Sequence, residues 1–117
     1  MPAHPDPARA EVLGEWGGLG LEVPGHRWPR RPFAYKRFRG RAELEAYYAK
    51  RIAQLRVLIE RGLAAAIYTQ TTDVEGEVNG LFTYDRAVLK FDAPTLVEVH
   101  RSLPVLAARS DPTGSGQ

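Results

Sequence analysis

Residues 63–70 read LAAAIYTQ, and this run constrains the fold more than any other part of the chain. It has the length of a strand and is apolar without alternation, the pattern of a strand buried on both faces of a parallel sheet. Directly before it lies RAELEAYYAKRIAQLRVLIERG. There Leu44, Tyr47, Tyr48, Ile52, Leu55, Leu58 and Ile59 recur at three- and four-residue spacing, which predicts a helix over residues 41–61. Glu43 and Glu45 near its start and Arg61 at its end suit the helix dipole, and Gly62 is placed to terminate it. A shorter strand, AEVLGEW, is expected over residues 10–16. Pro94 suits the first turn of a helix. TLVEVHRSL therefore predicts a second helix, with Leu96, Val99, His100 and Leu103 on one face.

The order strand, helix, strand, helix predicts an α/β fold with parallel strands joined by a right-handed crossover. Two parallel strands do not make a stable sheet alone, because such sheets need cover on both faces and neighbours at both edges. The chain therefore reads as part of a fold whose remainder lies elsewhere. Residues 1–9 read as a proline-rich lead, residues 10–109 as the folded portion and residues 110–117 as a disordered tail. Residues 17–40 are expected to be one long loop, of the kind that is functional or disordered. TTDVEGEVNG reads as a polar, acidic loop, with a hairpin turn at Asn79-Gly80 as the alternative.

Composition narrows the chemistry. The 117 residues are 44% hydrophobic and 26% charged, an ordinary globular balance. There is no cysteine, which excludes disulfides, thiolate metal sites and thiol nucleophiles. No apolar run is long enough for a membrane span. MPAHPDPARA has proline and charge where a signal peptide needs an apolar core, so a cytoplasmic location is the default expectation. The net charge of +2 conceals one basic stretch, RWPRRPFAYKRFRGR at residues 27–41, with seven basic residues and no acidic one.

Two segments carry a family resemblance. GEWGGLGLEVPGHRW, and above all YTQTTDVEGEVNGLFTYDR followed by Lys90, resemble the C-terminal end of the catalytic domain in glycoside hydrolase family 2, which includes β-galactosidases and β-glucuronidases. The similarity covers roughly residues 10–100. It implies a partial (β/α)8 TIM barrel. Residues 10–16 would be the seventh barrel strand, 41–61 the seventh helix, 63–70 the eighth strand and 94–103 part of the eighth helix. Active residues in such barrels sit at the C-terminal ends of strands, where Glu15 falls. By this resemblance Glu15 is the nucleophile of a retaining β-glycosidase. The family's acid/base glutamate follows an asparagine on the fourth strand. This chain's only asparagine, Asn79, is followed by Gly80, and strands one to six are missing. The expectation is a fragment that does not turn over substrate alone. Its partners would be a β-glycoside in the parent enzyme, and the missing barrel portion or a second copy. Smaller departures are Trp16 where the family more often has Phe or Tyr, Gly14 where Ser is common, and Gly76 within the acidic loop.

Around Glu15, the resemblance makes Trp16, His26 and Trp28 candidates for a sugar platform, because pyranose faces stack on aromatic rings and histidine can bond a hydroxyl. The same tryptophans could instead pin the long loop. Tyr68 and Gln70 end the eighth strand, where sugar contact and a supporting core role both remain open. Asp73, Glu75 and Glu77 offer oxygen ligands but no calcium-loop spacing, so no metal site is expected, and no cofactor is implied. His4 and His100 have no evident partner. A stand-alone carbohydrate-binding or protein-interaction module is the alternative. Single-stranded nucleic acid is a lesser one, since Trp28, Phe33, Tyr35 and Phe38 interleave with arginines.

Overall fold

The computed structural model describes residues 6–104. The tail at 110–117, the first residues of the lead and His4 lie outside the described residues. The longest element, α1 (Arg41–Glu60), occupies the span that its periodicity predicts. Leu44, Tyr48, Ile52 and Leu55 form its buried stripe. Each such side chain contributes roughly 1.5–3 kcal/mol when taken out of water. Gly40 stands at the N-cap without a side-chain cap. The Glu43 carboxylate compensates by accepting the Arg39 N–H at 3.1 Å. At the other end Gly62 takes a φ of +110°, a conformation that favours glycine, and the chain turns into the next strand.

That strand, β4 (Leu63–Thr69), runs parallel to β1 (Glu11–Gly17), and the two form a two-stranded sheet. α1 is the connection that precedes β4 and packs against it. Leu13, Trp16, Leu63, Ala66 and Tyr68 point from the sheet into a core shared with α1. The opposite face is open: Val12 is 54% exposed and Ile67 55% exposed. Burial on both faces, expected from the unbroken apolar run, is thus met on one face alone.

The stretch expected as a single long loop contains a second parallel pair, β2 (Leu19–Leu21) and β3 (Lys36–Phe38). Three-residue strands carry too little periodicity to be read from sequence. Here Leu19, Leu21 and Phe38 anchor them by burial in the main core. Gly20 is required by close approach, since a Cβ there would run into the Ala34 side chain and come within 3.2 Å of Val78 Cγ2.

Residues 70–92 are irregular but well bonded. Their reversal falls at Glu75-Gly76, where Val74 and Glu77 exchange backbone bonds of 3.1 and 2.9 Å, and not at Asn79-Gly80. Glu75 adopts a positive φ of 51° there. Asn79 and Gly80 are buried instead. The pin of this loop is an ion pair, Lys90 Nζ to Asp73 Oδ1 at 2.7 Å, between side chains 0% and 5% exposed. Lys90 also donates to the Val78 carbonyl, and Asp73 Oδ1 accepts the Gly80 N–H. Burial pushes the Asp73 carboxyl up and the Lys90 ammonium down, and their mutual hydrogen bond opposes both shifts.

α2 (Ala93–Arg101) closes the described chain. Asp92 caps it, accepting the Thr95 hydroxyl at 2.6 Å and the Thr95 N–H at 3.2 Å, with Pro94 in the first turn. These bonds hold the Asp92 carboxyl below the usual range. His100 has a partner after all: its Nε2 is hydrogen-bonded to the Tyr48 hydroxyl at 2.7 Å, tying α2 to α1.

Candidate functional site

Glu15 owes its position to an irregularity in β1. Leu13 stands against Ala66 and Trp16 against Tyr68, so β1 advances three residues while β4 advances two. Gly14 and Glu15 together therefore oppose Ile67. A bulge of this kind re-aims a side chain. Leu13 and Trp16 both keep their place in the core, and Glu15 is turned out to the exposed side. Without the bulge, alternation would send Glu15 to the same face as Leu13. The strand then ends at Gly17 and Gly18, with φ of +115° and +65°. Glu15, Trp16, Gly17, Gly18 and Tyr35 line a cleft of about 280 Å³, in which Glu15 is the only carboxylate among the described residues.

Trp16 borders this cleft but is committed to the interior by its ring. It stacks on Tyr48 with centroids 5.7 Å apart and meets Tyr68 edge-on at 4.8 Å. Tyr68 belongs to the same aromatic layer, edge-on to Tyr48 at 5.3 Å. Burial pushes the Tyr68 hydroxyl well above its usual pKa, with the neighbouring Tyr48 hydroxyl adding to the shift. Gln70 lies beyond the strand end and uses its amide to bond Asn79 Oδ1 at 2.6 Å and Glu77 Oε2 at 2.9 Å.

His26 and Trp28 come together with a different segment. His26 Nδ1 lies 2.7 Å from Asp85 Oδ2. An ionised carboxylate can only accept, so Nδ1 carries the proton and Nε2 is left as an acceptor in the neutral ring. Trp28 meets Tyr84 edge-on at 5.3 Å. Asp85 is fixed by the Thr83 hydroxyl at 2.6 Å and the Ala87 N–H at 3.1 Å. The Thr83 bond first, then His26, lowers the Asp85 pKa to about 2. The six sequence-derived candidates thus fall into three places: Glu15 and Trp16 at the cleft, Tyr68 and Gln70 in the supporting layers, and His26 and Trp28 on the 83–88 turn.

The acidic cluster does not act together. Asp73 is buried against Lys90, Glu75 pairs with Arg30 at 2.6 Å, and Glu77 takes the Gln70 amide. No group of three or more potential ligands is gathered for a metal ion among the described residues. Tyr35, which sequence reading placed only within a basic–aromatic stretch, is a cleft residue. The glycine pair that makes room for it was visible in GEWGGLG, but its partner lies 17 residues downstream with no periodic signal linking them.

No protein-family model matches the chain, and a search of curated proteins finds no relative of it.

Proposed function

We propose that this chain supplies the seventh-strand-to-eighth-helix portion of a family 2-like retaining β-glycosidase barrel, with Glu15 as its nucleophile. The observation that carries this reading is the bulge in β1. It places a carboxylate at the C-terminal end of a parallel strand, on the sheet face that no helix covers. In a (β/α)8 barrel that face lines the interior and its C-terminal end forms the active site. The open apolar face at Val12 and Ile67 supports the same reading, since further strands would cover it. Retention requires a second carboxyl about 5–5.5 Å from the nucleophile. The cleft around Glu15 holds none, so the second acid has to come from another part of the assembled site. His26 and Trp28 would then border the sugar from the rim, with Gln70 as a supporting group.

The test exploits a leaving group that needs no protonation. A 2,4-dinitrophenyl 2-deoxy-2-fluoro-β-glycoside transfers its sugar to a nucleophile without an acid's help, and the fluorine slows release of the glycosyl ester. Protein isolated from its native cells should gain the mass of one fluoroglycosyl group on the peptide containing Glu15, and the Glu15→Gln protein should gain none. Absence of labelling, or labelling that survives Glu15→Gln, would contradict the proposal. The second reading, a carbohydrate-binding or interaction module, draws on the exposed rings of Phe33 and Tyr35. It predicts binding with no glycosyl-enzyme.

A further inference from the structure

We infer that the rim beside Glu15 is a subsite for an acidic β-glycan, with Tyr35 as its stacking platform and Arg31 and Arg37 as its anion contacts. The inference rests on the reading of the Glu15 cleft as a sugar site and names the substrate class of that site. Tyr35 is 78% exposed, so its ring contributes little to the core. It is nevertheless held in place. Its edge lies against the Gly18 backbone so closely that a Cβ at Gly18 would collide with Tyr35 Cδ2. On its other side it meets Phe33 edge-on, with centroids 5.5 Å apart. A rigid aromatic ring with an open face, beside a carboxylate in a cleft, suits the apolar face of a pyranose. Such a ring loses little conformational entropy on binding.

The path continues beyond Tyr35. Phe33 is half exposed and borders a second hollow of about 370 Å³, together with Arg31, Pro32, Ala34 and Arg37. The ring spacing from Tyr35 to Phe33 is close to the length of one sugar residue, so a chain stacked on Tyr35 reaches this hollow with its next unit. Here the charge state of each cation matters. Arg27 is taken by Glu22 at 2.5 Å, and Arg30 by Glu75 at 2.6 Å. Lys36 lies over the Tyr47 ring at 4.6 Å, and Arg41 donates to the Leu89 carbonyl at 3.2 Å. Among the described residues Arg31 makes no ion pair, and Arg37 reaches Glu22 only at 3.9 Å. Arg31 is free to take a carboxylate or sulfate group, which a guanidinium binds through paired hydrogen bonds, and Arg37 is held only by that one long contact. Of the seven cations in the basic stretch, Arg31 and Arg37 are the two that line the hollow beside the Phe33 ring. The hollow continues from the Glu15 cleft, read above as a sugar site, through the Tyr35 and Phe33 rings, so an acidic sugar is the occupant proposed and single-stranded nucleic acid is the alternative that the test separates.

The experiment is a calorimetric binding titration of the protein in the form in which its native cells make it, with each variant introduced into that same form. The probes are a uronate-containing β-linked oligosaccharide, its neutral counterpart of equal length, and a single-stranded oligonucleotide. Wild type should bind the acidic glycan roughly tenfold more tightly than the neutral one, the worth of one charge-assisted contact. R31Q/R37Q should erase that preference while neutral binding stays. Tyr35→Ala should weaken both, and Tyr35→Phe should restore both. Equal binding of the two glycans, no binding of either, undiminished binding by Tyr35→Ala, or tighter binding of the oligonucleotide would each overturn the inference. Failure of Glu15 to become labelled, with these affinities intact, would remove the nucleophile and leave the subsite.

Discussion

Tyr48 and Tyr68 pack against each other, yet their hydroxyls have different fates. Tyr48 reaches His100, while the Tyr68 hydroxyl is buried with no hydrogen-bond partner among the described residues. Burial pushes the Tyr48 hydroxyl up to about 12, so it stays protonated across the physiological range. An unsatisfied buried hydroxyl costs stability, whereas a satisfied one contributes. Tyr68→Phe should therefore be neutral or stabilising, by up to about 1 kcal/mol, and Tyr48→Phe should destabilise by about 1 kcal/mol in urea unfolding. A loss of stability in Tyr68→Phe would show that its hydroxyl has a partner. Asp85 gives a second test at this scale. Its folded pKa of about 2 lies below the ordinary value of 3.8, so its contribution is present above pH 3.8 and is lost as the pH falls through 2. The carboxyl carbon chemical shift should titrate near 2 in wild type and closer to 3.8 in Thr83→Val, which removes the largest cause of the shift. Identical titrations in the two proteins would contradict the assigned bond.

Elements differ in how much the sequence reveals of them. α1 was legible because seven apolar positions repeat at helical spacing over five turns, and one cap glycine ends it. β1 and β4 were legible as apolar runs bounded by turn residues. The bulge at Gly14-Glu15 was not, because a bulge is a relation between two strands and only register reveals it. For the same reason Glu15 could be singled out by its place at a strand end, but not its face. The loop over residues 70–92 hid its organisation too, since its strength comes from a lysine and an acid 17 residues apart in the sequence. Removing one member of such a pair leaves an uncompensated buried charge. Lys90→Met should cost about 3–5 kcal/mol. Lys90→Met combined with Asp73→Asn should recover part of that loss, because the amide oxygen still accepts the Gly80 N–H without a charge. Thermal unfolding of both variants checks this, and an undisturbed Lys90→Met protein would contradict it.

At the scale of the whole molecule, the described chain holds a one-sided solution to a two-sided problem. A core of leucines, aromatics and Ile52 closes the space between α1 and the sheet. The far face of the same sheet leaves Val12 and Ile67 in water, and among the described residues no third strand joins β1 and β4. Isolated pairs of strands are marginal in water, and parallel ones are found almost only under cover on both faces. The same face carries Glu15, so the features that leave the sheet unfinished and the carboxylate proposed as nucleophile coincide. The central claim is that this face is completed by more protein. Native mass spectrometry of the product isolated from its own cells tests it most directly. The account predicts that these peptides occur in a particle well above 13.0 kDa, as one longer chain or as an assembly. A lone 13.0-kDa monomer that melts in a single cooperative transition, with no partner bound, would contradict it.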